Sequence, residues 1–119
     1  GIDTWGCDFL CIGDDRAVLR NPLAYRDPHT VGMMEKYFAE AVDKQTVYAK
    51  TGIQFMNFNS LFQLYAMRKA GNSALENADK ILFIPDALSY MRIHRGFHIA
   101  DPEPGEQGLG CRPVGQPRT

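Results

Sequence analysis

The chain has no surplus of either charge. Thirteen Lys and Arg stand against fourteen Asp and Glu, a formal net charge of -1 over 119 residues. A nucleic-acid or anionic-lipid surface leaves a basic patch or stripe in the sequence that binds it, and none is present, so neither partner is expected. No apolar run approaches the roughly 20 residues of a membrane-spanning helix. The first residues show neither the basic region nor the cleavage pattern of a secretory signal, and the expectation is a cytoplasmic protein. Cysteine is scarce and odd in number, with Cys7, Cys11 and Cys111. In a strand Cys7 and Cys11 stand about 13 Å apart at roughly 3.3 Å per residue, beyond disulfide reach. They are expected as buried thiols.

What is present is enough for one compact unit, since 45% of the residues are hydrophobic and 23% charged. Residues 2 to 12, rich in Ile, Trp, Phe and Cys, read as a strand. Gly13-Asp14-Asp15-Arg16 then turns the chain into Ala17-Val18-Leu19, a hairpin signal. Pro22 and Tyr25-Arg26-Asp27-Pro28 break regularity and mark a loop that is a candidate site. Thr30 can cap a helix with apolar positions Met33, Met34, Tyr37, Phe38, Ala41 and Val42, and Asp43 a second, short helix that Gly52 ends. After residues 53 to 58, a third helix is expected from Asn59 or Ser60 to Ala70, closed by Gly71. Lys80 to Ile84 reads as a strand buried on both faces, and Asp86 as the cap of a helix beginning at Ala87. The order is mixed α and β. From Arg92 onward the chain is rich in Gly and Pro without apolar periodicity, and residues 92 to 119 are expected to be disordered.

Four motifs, taken in order, carry a resemblance: Gly1-Ile2-Asp3-Thr4-Trp5-Gly6-Cys7-Asp8-Phe9; Asn21-Pro22 with Tyr25-Arg26-Asp27; Thr51-Gly52-Ile53-Gln54-Phe55 with Phe58-Asn59; and Pro85-Asp86 with Tyr90. Over residues 1 to 91 the chain resembles rhamnulokinases, members of the FGGY carbohydrate kinases. Asn57, Ser60 and Gln63 depart from the wider superfamily's signature in a way that favours the rhamnulose branch. The resemblance implies an α/β piece of the N-terminal domain of an actin-like ATPase fold. It also implies ATP-dependent phosphorylation of L-rhamnulose at its 1-hydroxyl with Mg²⁺, a reaction that rests on positioning and charge stabilisation. The family's phosphate-binding Asp-x-Gly hairpin is expected before Gly1, and its catalytic Asp and nucleotide domain after Thr119. The chain is accordingly expected to be a fragment, inactive alone and binding no ATP or metal. A stand-alone sugar- or protein-binding α/β module is the alternative.

What this chain retains is part of a sugar-site wall. Gly6 matches the position where the family's backbone approaches the sugar, and a side chain there would block approach. Trp5 and Tyr25 can pack against a sugar face, Tyr25 being preferred and Trp5 equally suited to the core. Asp8 and Asp27 can accept from sugar hydroxyls, although balancing Arg26 is the favoured role for both. His29 is expected to be solvated. A strand that opens at the terminus leaves an unpaired edge, and self-association through such edges is expected.

The tail reads better in another frame. Written as degenerate codons and shifted by one nucleotide from Arg92, Ile93 to Gln116 permit EYTVASTSQILNPENRDWDAGLLDN, the form of the family segment that otherwise has no counterpart here. Residues 92 to 119 are therefore expected to be an out-of-frame translation. His94, His98 and Cys111 invite a zinc reading, but Gly and Pro around them oppose a shared helix face, and no metal site is expected.

Overall fold

In the computed structural model the described residues are 1 to 94, 98 to 99 and 111 to 112. The elements run β1 (Phe9–Ile12), a 3-10 turn (Pro28–Thr30), α1 (Met33–Glu40), α2 (Lys44–Thr51), α3 (Ser60–Lys69), α4 (Ser73–Glu76), β2 (Lys80–Phe83), α5 (Ile84–His94), β3 (His98–Ile99) and β4 (Cys111–Arg112). The expected α/β character is present. The larger idea of an actin-like ATPase domain is compatible with it, but a two-stranded sheet does not define that fold.

β1 is the centre. All four of its residues are buried, and alternation sends successive side chains to opposite faces. Phe9 and Cys11 pack with Met67 of α3 and Ala74 of α4, while Leu10 and Ile12 pack with Ala87 of α5. One strand thus joins α3 and α4 on one side to α5 on the other. β2 pairs antiparallel along one edge, Phe9 opposite Phe83 and Ile12 opposite Lys80. The other edge receives the chain returning from the Gly13 turn, where Ile12 bridges Val18 and the Leu19 amide donates to the Cys11 carbonyl. The expected hairpin is therefore real but narrow. Arg16 takes a positive φ of 68° in its turn, and Tyr90 of α5 donates a hydroxyl hydrogen bond to the Arg16 carbonyl at 3.1 Å.

Several expectations shift. The first strand begins at Phe9 rather than Ile2, because Gly6 turns the backbone to a φ of +66° and residues 1 to 6 are largely exposed. β2 is not buried on both faces: Ile81 and Phe83 remain 38% and 39% exposed, since β1 is its sole partner among the described residues. Ile84 already belongs to α5, so Asp86 lies in the first helical turn instead of capping it. Thr30 is buried at the end of the 3-10 turn, and α1 starts from Gly32. Asp43 does cap α2, accepting from the Thr46 amide at 2.9 Å, and Gly52 closes it in the left-handed region. α4 was not foreseen; the Asn72 side chain starts it by accepting from the Ala74 and Leu75 amides.

Of the expected disordered tail, Arg92 to His94 form the end of α5, and β3 pairs with β4, Ile99 opposite Cys111. The remaining tail residues, and the side chains of His94, His98 and Cys111, lie outside the described residues.

α1 docks on α3 through rings and one polar link. Phe62, fully buried, meets Tyr37 and Phe38 edge-on at 5.8 and 5.5 Å, and Phe55 at 6.5 Å. At the rim Glu40 accepts from Lys69 at 2.7 Å and from the Tyr65 hydroxyl at 2.8 Å. The Lys69 bond first, and the Tyr65 bond second, hold the Glu40 carboxyl below the usual carboxylate range, while the same contacts hold Lys69 above its own. A depressed carboxylate stabilises the fold above its unfolded-state value and loses that contribution as pH falls through the folded-state one. Because the link is exposed, its effect is small and screened by salt. The expected outcome in denaturant titrations is that wild type exceeds Glu40→Gln in stability at neutral pH and converges with it in acid, below the ordinary carboxylate range. Parallel pH profiles for the two proteins would show that the link contributes nothing.

Candidate functional site

Three segments enclose a groove of about 320 Å³: Gly6 and Cys7 before β1, residues 53 to 58 between the helices, and the first turn of α3. Val47 and Thr51 of α2 complete it, with Phe55, Phe58 and Phe62 supplying aromatic surface. Such a volume lies at the small end of small-molecule sites. No Asp, Glu, Lys, Arg or His is among its lining residues. The groove can therefore shape and orient a ligand, but its lining brings no charged side chain to it.

Local sequence explains the walls. Thr51 and Gly52 end α2, and the Thr51 hydroxyl accepts from the Ile53 amide. The Asn59 carboxamide oxygen reaches back to accept from the Met56 amide at 2.7 Å, folding residues 56 to 59 into a turn ahead of α3. On the opposite wall the Gly6 amide donates to the Thr4 hydroxyl, and the Cys7 thiol donates to the Trp5 carbonyl at 3.2 Å. Burial first, and the Asp8 charge second, raise the Cys7 thiol above its ordinary value; burial alone raises Cys11. Both stay neutral thiols, and only Cys11 is buried outright.

The four expected site residues separate in space. Gly6 lines the groove. Tyr25 does not line it but packs edge-on against the lining ring of Phe58, centroids 5.6 Å apart. Trp5 stacks outside Tyr25 at 6.2 Å and is 81% exposed, so its reading as core is wrong. Asp8 lies outside the lining as well; its Oδ1 is buried and has no hydrogen-bond partner.

Arg26 does not balance either aspartate among the described ion pairs. Its Nε donates to the Tyr25 hydroxyl at 2.9 Å, with the guanidinium over the ring. Asp27 instead caps the 3-10 turn by accepting from the His29 amide, its Oδ1 3.3 Å from His29 Nδ1. His29 is not solvated, since both ring nitrogens are buried without a hydrogen bond.

The residues that the sequence reading left unassigned are Cys7, Phe55, Phe58, Asn59 and Gln63. The first four line the groove, and Phe55, Phe58 and Asn59 stand inside the third motif. Gln63 is 1% exposed, and its amide donates to the carbonyls of Cys7 at 3.0 Å and Phe58 at 2.7 Å.

The arrangement is an α/β segment bearing a groove with an aromatic wall. Comparison with known proteins shows a family likeness: over 91 residues the chain is rhamnulokinase-like. It is 63% identical to a rhamnulokinase of Bacteroides thetaiotaomicron, covering 76% of this chain and 19% of that protein. It is 41% identical to one of Oceanobacillus iheyensis, with the same coverage of each, and 43% identical to one of Ligilactobacillus salivarius, covering 18% of it. The chain thus spans about a fifth of the length of these relatives. No protein-family model matches it.

Gly6 offers the direct test of the near wall. A Cβ built there meets no atom within 4 Å, so it would stand in open space, and its cost is conformational. Gly6→Ala is expected to lose about 1–2 kcal/mol from the left-handed backbone of its segment. Amide hydrogen exchange should localise that loss to residues 4 to 8. Unchanged protection there would show that the segment has no fixed conformation to strain.

Proposed function

We propose that this chain is a piece of a rhamnulokinase and that it supplies part of one wall of the ketose site. The observation that carries the reading is the identity of 63% and 41% over 91 residues with two proteins of that name. The intact enzyme would phosphorylate L-rhamnulose at its 1-hydroxyl using ATP, in the cytoplasm. Gly6, a lining residue with positive φ, lets the sugar approach the backbone. Tyr25 supports the aromatic wall through Phe58, and Trp5 extends that row outward. The unpartnered Oδ1 of Asp8 is suited to accept from a hydroxyl.

Catalysis needs more than this wall. Among the described residues there is no group of three or more His, Cys, Asp and Glu that could hold a metal ion, and the groove lining contains no charged side chain. The phosphate cradle, the metal ligands and the base for the sugar hydroxyl belong to other parts of the intact enzyme. Among the described residues no helix is long and apolar enough to cross a membrane. The outer edge of β2, unpaired among the described residues and with Ile81 and Phe83 partly exposed, supports self-association of the chain.

Pure chain mixed with ATP, Mg²⁺ and L-rhamnulose is expected to give no turnover above background in a coupled ADP assay. Turnover abolished by Gly6→Ala would show that the chain carries the catalytic groups itself. The out-of-frame origin of residues 92 to 119 is supported by the length of the family match, 91 of 119 residues. Its coding DNA is expected to place ATA at Ile93 and to stay open in the shifted frame. Another Ile codon, or an early stop, ends that reading.

A further inference from the structure

We propose that Gln63 is a positioning residue that sets the spacing between the two walls of the groove. The inference rests on the reading of that groove as a ligand site. Gln63 projects from the second turn of α3 and is 1% exposed, yet it makes no contact with the open groove as a lining residue. Its one NH₂ group spends both hydrogens on main-chain carbonyls. One goes to Cys7, 56 residues away on the near wall, and the other to Phe58 on the far wall.

The geometry is demanding. The two N–H bonds of a planar amide diverge at a fixed angle, so two carbonyls held by the same nitrogen stand at a fixed separation. The amide cannot be turned over, because its oxygen would then face two acceptors. Neither carbonyl belongs to a helix or a strand, and each wall is otherwise held by short-range bonds within itself: Gly6 to Thr4, Cys7 to Trp5, Met56 to Asn59. Among the described residues, the hydrogen bonds of Gln63 tie one wall to the other. A buried donor serving two part-buried acceptors is costly to remove, since both carbonyls then lose their protein partner. Loss of the amide would therefore let the Gly6–Cys7 wall move relative to Phe58, while β1, held by packing on both faces, stays in place.

Cys7 and Cys11 report these events separately. Cys7 lines the groove, whereas Cys11 is 4% exposed in the middle of β1. Alkylation of the full chain by iodoacetamide, resolved by peptide mapping, gives the rate at each. Gln63→Met keeps the volume and removes both donors. It is expected to speed Cys7 labelling roughly tenfold over wild type and leave Cys11 unchanged.

Gln63→Glu supplies the second reading. When protonated it retains one donor, and when ionised it repels both carbonyls, so its Cys7 rate relative to wild type at the same pH should climb as the carboxyl ionises. A Cys7 rate unchanged in both variants, or Cys7 and Cys11 rising in equal proportion in both, would overturn the proposal. L-Rhamnulose adds a separate arm. Protection of Cys7 in wild type and its loss in Gln63→Met would link the wall spacing to the sugar. Absence of protection in wild type would remove the sugar reading of the groove and leave the wall spacing standing on the variant rates.

Discussion

Burial of one four-residue strand on both of its faces is the constraint from which the rest of the structure follows. Burying Phe9, Leu10 or Ile12 contributes about 1.5–3 kcal/mol each relative to exposure, and no single neighbour can cover them all. Alternation assigns Phe9 and Cys11 to α3 and α4, and Leu10 and Ile12 to α5. A slip of one residue would exchange both sets at once and destroy both layers. The register with β2, Leu10 opposite Leu82 and Cys11 opposite Ile81, is thereby held from two sides. The position of Gly6 and Cys7 follows in turn, because they are the residues through which the chain enters this strand.

The second constraint is polar. A buried amide in an otherwise apolar helix face is tolerated only when its hydrogens are satisfied. Gln63 sits one residue after Phe62, the fully buried ring of the aromatic cluster, so α3 presents packing and hydrogen bonding to neighbouring parts of the interior. Phe62 draws α1 and residue Phe55 inward through ring contacts, and Gln63 draws the Cys7 segment toward Phe58. The groove is the space left between what those two residues pull together. Its apolar lining thus arises from the core's own construction.

Local signals in the sequence were sufficient where the physics is local. Asp43 and Gly52 bound α2 as a cap and a left-handed stop, and the apolar spacing of α1 and α3 is visible without any tertiary knowledge. The failures have a common cause. Residues 2 to 8 have strand composition but Gly6 breaks their path, and β2 has the apolar run of a buried strand but one partner. Pairing is decided by other segments, so composition alone could not reveal it. The same holds for Asp27 and Arg26, whose opposite charges suggested a pair. The nearer solutions, an amide for Asp27 and a phenol for Arg26, won.

The site was half legible for the same reason. Gly6 could be named through the family resemblance alone, and the positive φ and open surroundings that the structure gives it carry no mark in the sequence beyond the glycine itself. Trp5 and Tyr25 could be named as aromatic, yet their order, with Tyr25 resting on Phe58 and Trp5 resting on Tyr25, depends on a loop 33 residues away from Tyr25. Gln63 carried a weaker mark, a lone amide inside an otherwise apolar stretch of α3. A carboxamide donates two hydrogen bonds from the same nitrogen. That bonding capacity makes it a two-ended tether, and it is what lets a single helix position hold two loops at once.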